Sequence, residues 1–141
     1  MTKQVEVIST RATVEEAARK MASTGVGMLP VVDENTLRGI LTDRDIAIRI
    51  AGEGKSARDV KVQSVMTPGA AYCFDDQDVR IAAAMMQGEQ IRRVVVFDRK
   101  GQLAGILSAS DLALRDETAA LATEVIRRVC HPVKHPRRKS R

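Results

Sequence analysis

Apolar positions recur at helical spacing in two well-separated stretches of the chain and at strand spacing in the segments that follow them. Val14, Ala17, Ala18 and Met21 follow an i, i+3, i+4, i+7 pattern, and Val79, Ala82, Ala83 and Met86 repeat it, so each stretch lays one apolar stripe along a helix face. Thr13 with Glu16 predicts a capping-box start for the first helix, and Asp78 supplies an N-cap for the second. The small alanines in both stripes predict close packing on a flat surface. Each helix is followed by an apolar run of strand length ending in Asp, Met28 to Asp33 and Arg93 to Asp98. A short polar turn, Glu34-Asn35-Thr36 in one case and Arg99-Lys100-Gly101-Gln102 in the other, leads to a second apolar run and so predicts a hairpin.

The similarity has a fixed spacing, 65 residues before the turns and 66 after them, because the second turn is one residue longer. The second strand of each hairpin ends in a corner. Gly39-Ile40-Leu41-Thr42-Asp43-Arg44-Asp45 matches Gly105-Ile106-Leu107-Ser108-Ala109-Ser110-Asp111, and both read as strand, turn and helix start. The first corner predicts a helix from Asp43 to about Ala51, ended by Gly52 and Gly54; the second predicts one from near Ala109 that runs, with a break, towards Val129. Between the halves, residues 53 to 69 read as a polar connection closing with a short helical turn stopped by Pro68. Val5 to Ile8 and Ala71 to Phe74 read as short extended pieces ahead of the two helices.

Each half is therefore β-α-β-β-α, with one apolar helix face and one apolar sheet face. The predicted fold class is α+β, an α/β sandwich of two repeats related by a pseudo-twofold axis and packed sheet to sheet, because neither half alone encloses an adequate core. The expected division is 3–62 for the first repeat, 63–129 for the second and 130–141 for a C-terminal tail.

Composition changes this picture in three places. Of 141 residues 44% are hydrophobic but only 2% aromatic, with no Trp, so a planar ligand would lie mainly between aliphatic side chains. The net charge of +5 comes from the tail, where Lys134, Arg137, Arg138, Lys139 and Arg141 stand with no acid, leaving the body formally neutral. A solvated end is the ordinary reading of such a tail, and nucleic acid or an acidic protein is the functional one, with nucleic acid the less favoured partner. No run reaches the roughly 18 apolar residues of a membrane span, and the first residues lack the apolar segment of a signal peptide, so the expected location is cytoplasmic.

Cys73 and Cys130 are read as buried thiols, with a weak alternative in which Cys130, His131 and His135 recruit a metal. Both histidines lie in the tail, and the body offers no Ser/His/Asp or Cys/His constellation and no metal-ligand cluster. The reading is a protein that is not an enzyme, with no catalytic residues, no metal and no cofactor.

The corners carry the candidate chemistry. An Asp in the first turn of a helix stays ionised and can accept two ribose hydroxyls, yet Thr42 with Asp45 and Ser108 with Asp111 are also what N-capping alone selects. Both readings stand at this level.

The repeated unit, the Leu29-Pro30-Val31-Val32-Asp33 strand, the Gly39 to Asp45 corner and the Val65-Met66-Thr67-Pro68 junction resemble a tandem pair of cystathionine-beta-synthase (CBS) domains, the Bateman module, over about residues 3 to 117. The resemblance is to a stand-alone bacterial CBS-pair protein. It implies a ligand-sensing regulatory module with two clefts between the repeats that bind AMP, ADP, ATP or S-adenosylmethionine, a homodimer of two modules, and an unidentified regulated protein. Carried over by motif position, Asp45 and Thr42 in one half and Asp111, Ser108 and Ser110 in the other take the ribose side, and backbone around Met28 and Pro30 meets the adenine. Arg92 and Arg93 resemble the basic pair of phosphate-reading modules, whereas Gly27-Met28 at the same place in the first half carries no charge. Strand alternation points one of these two arginines at the cleft and the other at solvent. The alternative reading is a ligand-free homodimeric scaffold whose basic tail contacts an acidic partner or nucleic acid.

Overall fold

The computed structural model describes residues 1–131 and consists of two helix-and-sheet halves. The first contains α1 (Val14–Thr24), β1 (Met28–Asp33), β2 (Thr36–Thr42), α2 (Asp43–Arg49) and β3 (Thr67–Pro68). The second contains β4 (Tyr72–Phe74), α3 (Val79–Glu89), β5 (Arg93–Phe97), β6 (Leu103–Ser108), α4 (Ala109–Ala113) and α5 (Ala119–Val129). Short 3₁₀ turns at Ala51–Glu53, Val62–Ser64 and Asp116–Thr118 join them. Among the described residues no helix is long and apolar enough to cross a membrane. The expected basic tail lies almost wholly outside the described residues.

The helices start where the capping chemistry placed them. The Thr13 hydroxyl accepts from the Glu16 amide at 3.1 Å while Glu16 accepts from the Thr13 amide at 2.7 Å, and Asp78 caps the Arg80 amide at 2.9 Å. Val14, Ala17 and Met21 are buried on one side of α1, and Ala82, Ala83 and Met86 on one side of α3.

The sheets have the order β1-β2-β3 and β4-β5-β6. In each hairpin the register slips at the same place, between Val31 and Val32 and between Val96 and Phe97. Each sheet also gains a bridge from elsewhere in the chain: Ile8 pairs in parallel with Val31 as β4 does with β5, and Thr2 pairs antiparallel with Ile106 as Thr67 does with Ile40. The N-terminal segment thus begins on the second sheet and ends on the first.

Side-chain alternation then separates two cores. Leu29, Val31 and Leu41 point to the first half's helices, and Val94 and Val96 to those of the second. Met28, Pro30 and Val95 are buried outside both cores, on the sheet faces that look at each other. Val62 and Val65 pack into the first core and Thr67–Pro68 into its sheet, so the segment after the expected division at 62 and 63 is packed on the first half.

Pro68 corrects a local expectation. The sequence reads it as the stop of a helical turn, but the 3₁₀ turn ends at Ser64 and Thr67–Pro68 form a strand at the sheet edge, where a residue without an N–H is tolerated. The stretch Val5 to Ile8, read as a strand, forms only the single bridge at Ile8. The helix expected to reach Ala51 ends at Arg49 and tightens into a 3₁₀ turn before Gly54 at φ +65°.

Gly39 and Gly105 are required by the edge pairings. A Cβ at Gly39 would collide with the Thr67 carbonyl, and one at Gly105 would lie 2.7 Å from the Thr2 carbonyl oxygen. Gly39→Ala should therefore destabilise the protein by about 1–3 kcal/mol, read as a lower urea midpoint. Gly88→Ala, in α3 with open space around the new Cβ, should move the midpoint the other way by up to about 1 kcal/mol.

Candidate ligand cleft

The two corners share one backbone geometry, with Thr42 at φ −113°, ψ 159° and Ser108 at φ −112°, ψ 159°. Each hydroxyl accepts from the amide three residues on at 3.1 Å. In return Asp45 Oδ2 accepts from the Thr42 amide at 3.0 Å, and Asp111 Oδ2 accepts from the Ser108 amide and the Ser108 hydroxyl, both at 2.8 Å. Capping is thus realised at both corners and uses one carboxylate oxygen of each Asp.

The remaining oxygens differ. Asp45 Oδ1 lies 3.9 Å from Nη2 of Arg49, whose Nη1 donates to the carbonyls of Val65 and Met66 at 2.6 and 3.2 Å. Asp111 Oδ1 lies 3.2 Å from the α-amino group of Met1. Partial burial opposes ionisation of Asp111, but the hydrogen bonds from Ser108 and the adjacent α-ammonium outweigh it and hold its carboxyl below the usual range.

A cleft of about 270 Å³ opens at the second corner, between the halves. One wall is Arg93, Ile106, Ser108, Ser110 and Asp111; the other is Gly25 to Met28; and the segment carrying Thr2, Gln4, Val5 and Glu6 runs along it. Five of the expected site residues, Met28, Arg93, Ser108, Ser110 and Asp111, are thereby brought together. Thr42 and Asp45 form the pseudo-equivalent corner and do not line this cleft; Pro30 is fully buried between the sheets, its carbonyl accepting from the Ile8 amide at 3.0 Å.

The arginine pair divides by strand alternation. Arg93 stands opposite Ser108 in the β5–β6 register and shares the cleft with it. Arg92, one residue earlier, turns away, and its Nη2 donates to Cys130 Sγ at 3.3 Å. Cys130 is exposed, contrary to its reading as a buried thiol, whereas Cys73 is buried and its thiol pKa is raised by that burial. Among the described residues no three His, Cys, Asp or Glu side chains gather as a metal site, and His135 of the metal alternative lies outside them.

Two features escaped the sequence reading. One is the strap of residues 2 to 6, whose Glu6 brings a second carboxylate to the cleft and lies 3.5 Å from Lys20. Its sequence signal is the pair Met1-Thr2 and Met66-Thr67, spaced like the rest of the repeat. The other is a reciprocal exchange of sizes at the corners. The Gly27 carbonyl accepts from the Asp43 amide at 3.0 Å, and a Cβ at Gly27 would lie 2.7 Å from Asp43 Oδ2. The equivalent pair is Arg92 and Ala109, joined by the same backbone bond at 2.9 Å. The larger side chain sits on opposite members of the two pairs.

Two three-stranded sheets with helices packed on them, and a cleft at a capped corner between the halves, define a tandem-repeat α+β module. The sequence profile of the CBS domain matches residues 1–52 and again 62–116, and the chain belongs to the CBS-domain family as a pair of such domains. It is 34% identical over 131 residues to the CBS domain-containing protein YhcV of Bacillus subtilis, spanning 93% of this chain and 92% of that one. The fold superposes on the conserved CBS domain protein TA0289 of Thermoplasma acidophilum with a TM-score of 0.74 at 25% identity, over 90% of this chain and 73% of the other. It also superposes on the CBS domain protein PAE2072 of Pyrobaculum aerophilum, a structure complexed with AMP, with a TM-score of 0.70 at 26% identity, over 85% and 94% of the two chains.

The lowered pKa of Asp111 fixes the sign of a pH effect. A carboxyl with a lower pKa in the folded state stabilises it above the unfolded value of about 3.9, and that contribution is lost as pH falls through the folded value. Asp111→Asn should be less stable than the parent at pH 7, and the gap in urea midpoints should narrow as the pH falls below the unfolded value of about 3.9.

Proposed function

We propose that this chain is a cytoplasmic regulatory module, not an enzyme, that binds an adenosine monophosphate-type ligand between its two CBS domains and passes its occupancy to a partner protein. The observation that carries the reading is the convergence of Asp111, Ser108, Ser110 and Arg93 with the Gly25 to Met28 backbone in one cleft between the halves. An ionised carboxylate accepts ribose hydroxyls, which would replace the α-amino group now at Oδ1, and Ser110 adds a hydroxyl beside it. Met28 supplies the apolar surface for the base. AMP bound to the PAE2072 structure supports this class of ligand.

Charge narrows the class. The cleft lining carries one guanidinium, Arg93, against the carboxyls of Glu6 and Asp111, which suits a single phosphate and disfavours a triphosphate. A ligand there touches the strap, which is hydrogen-bonded to β6 through Thr2 and to β1 through Ile8. Binding would then favour one setting of the two halves, to the extent that its affinity differs between settings.

The same reading pairs two modules through α2 and α4. Ile48 and Leu114 hold the same place in the two repeats and are 52% and 84% exposed, so a second copy covering them removes apolar area symmetrically. Ile48→Asp with Leu114→Asp should yield a monomer in sedimentation equilibrium where the parent sediments as a dimer.

Thermal unfolding with AMP, ADP, ATP, S-adenosylmethionine and NAD tests the ligand. AMP at 100 times its dissociation constant should stabilise the parent by about 2.7 kcal/mol, Asp111→Ala should abolish the shift, and Arg93→Ala should narrow the preference for AMP over adenosine. Absence of a shift with every one of these ligands would refute the sensor reading.

A further inference from the structure

A second cavity, of about 400 Å³, lies between the two hairpin turns, at the far end of each hairpin from its corner. Val7 and Val32 of the first half face Phe97 and Leu103 of the second across it, with Asn35 and Lys100 on the two turns. Val32 and Phe97 occupy the same place in the two repeats, so the cavity straddles the pseudo-twofold axis.

The repeats themselves explain why space is left there. In the second half the places of Val7 and Val32 are taken by Tyr72 and Phe97, and these rings meet edge to face at 5.7 Å. The chain has one Tyr and two Phe, and the third ring, Phe74, packs on Tyr72 at 5.9 Å, so every aromatic side chain gathers at this end of the second sheet. Valines on the opposing sheet fill less volume than rings would. The result is an apolar cavity with one aromatic wall held in orientation from behind.

The lining carries one charge. Lys100 is its only titratable side chain, and among the described residues Lys100 makes no ion pair. Its turn is held in place by Asp98 Oδ1, which accepts from the amides of Lys100 and Gln102, both at 2.8 Å. An apolar chamber within the usual volume range of ligand sites, with an unpaired lysine carried on its lining by a braced turn, is complementary to an amphipathic anion.

We infer that this cavity binds a small carboxylate with an apolar, aromatic body, the body lying between Val7, Val32 and Phe97 and the carboxylate on Lys100 Nζ. The inference is independent of the nucleotide reading, because it uses none of the corner residues. Both halves line the cavity, so its occupant bears on their relative setting from the end opposite the corners.

Amide NMR titration of the full chain with 4-phenylbutyrate tests it. Saturable shifts are expected at Val7, Val32, Phe97 and Lys100, with 4-phenylbutylamine binding about tenfold more weakly, the equivalent of one charge-assisted hydrogen bond of about 1.4 kcal/mol. Lys100→Glu should reverse the order of the two probes, and Val32→Phe should abolish binding of both by filling the chamber. Lys100 is exposed, so its variant keeps the test intact if Val32→Phe fails to fold. Equal affinity for the two probes, an order unchanged by Lys100→Glu, or no saturable shift with 4-phenylbutyrate would overturn the proposal. The last result, accompanied by a higher urea midpoint for Val32→Phe, would identify the cavity as a packing defect.

Discussion

Each sheet in this protein is completed by a segment from outside its own helix-and-hairpin unit, and the rest of the architecture depends on that edge pairing. Thr67–Pro68 closes the first sheet and Thr2 the second, each against the strand that runs into a corner. The approach is close enough that only glycine fits at positions 39 and 105. The N-terminal segment then has to travel from the second sheet to Ile8 on the first, and its path past the second corner makes it a wall of the cleft. Edge pairing, cleft and coupling between halves are consequences of one connection.

At the corners a structural device and the proposed binding device share the same atoms. A capping box consumes the hydroxyl, the two amides and one carboxylate oxygen at both Thr42/Asp45 and Ser108/Asp111, and the Ser108 hydroxyl also donates to Asp111 Oδ2. What distinguishes them is the second oxygen. Arg49, anchored on two carbonyls of the junction, stands near that of Asp45, while that of Asp111 meets an α-amino group at the cleft. Local stability and the proposed ligand chemistry are therefore compatible: the cap orients the carboxylate, and the oxygen it leaves unused at Asp111 could exchange the α-amino group for a ligand hydroxyl.

Much of the fold was legible because its signals are local. The i, i+3, i+4, i+7 stripes of α1 and α3, the capping pairs and the two hairpins follow from side-chain geometry over a few residues, and the repeat doubled each signal. Pro68 was misread for the same reason. A proline after a helical turn looks like a stop, and only its position at a sheet edge reveals a strand. The exposure of Cys130 beside Arg92 was equally invisible, since 38 residues separate the two in sequence.

By itself the sequence determined the helix, hairpin and helix of each half, their pseudo-equivalence, the capped corners and the chemistry available at them, all of which depend on periodicity, propensity and internal repetition. Tertiary structure decided which arginine faces the cleft, which corner opens into one, that residues 2 to 6 form part of its wall, and that valines opposite Phe97 leave a chamber on the axis. Those outcomes depend on which strand face meets which across the two sheets. That is a relation between residues distant in the chain, and no local pattern encodes it.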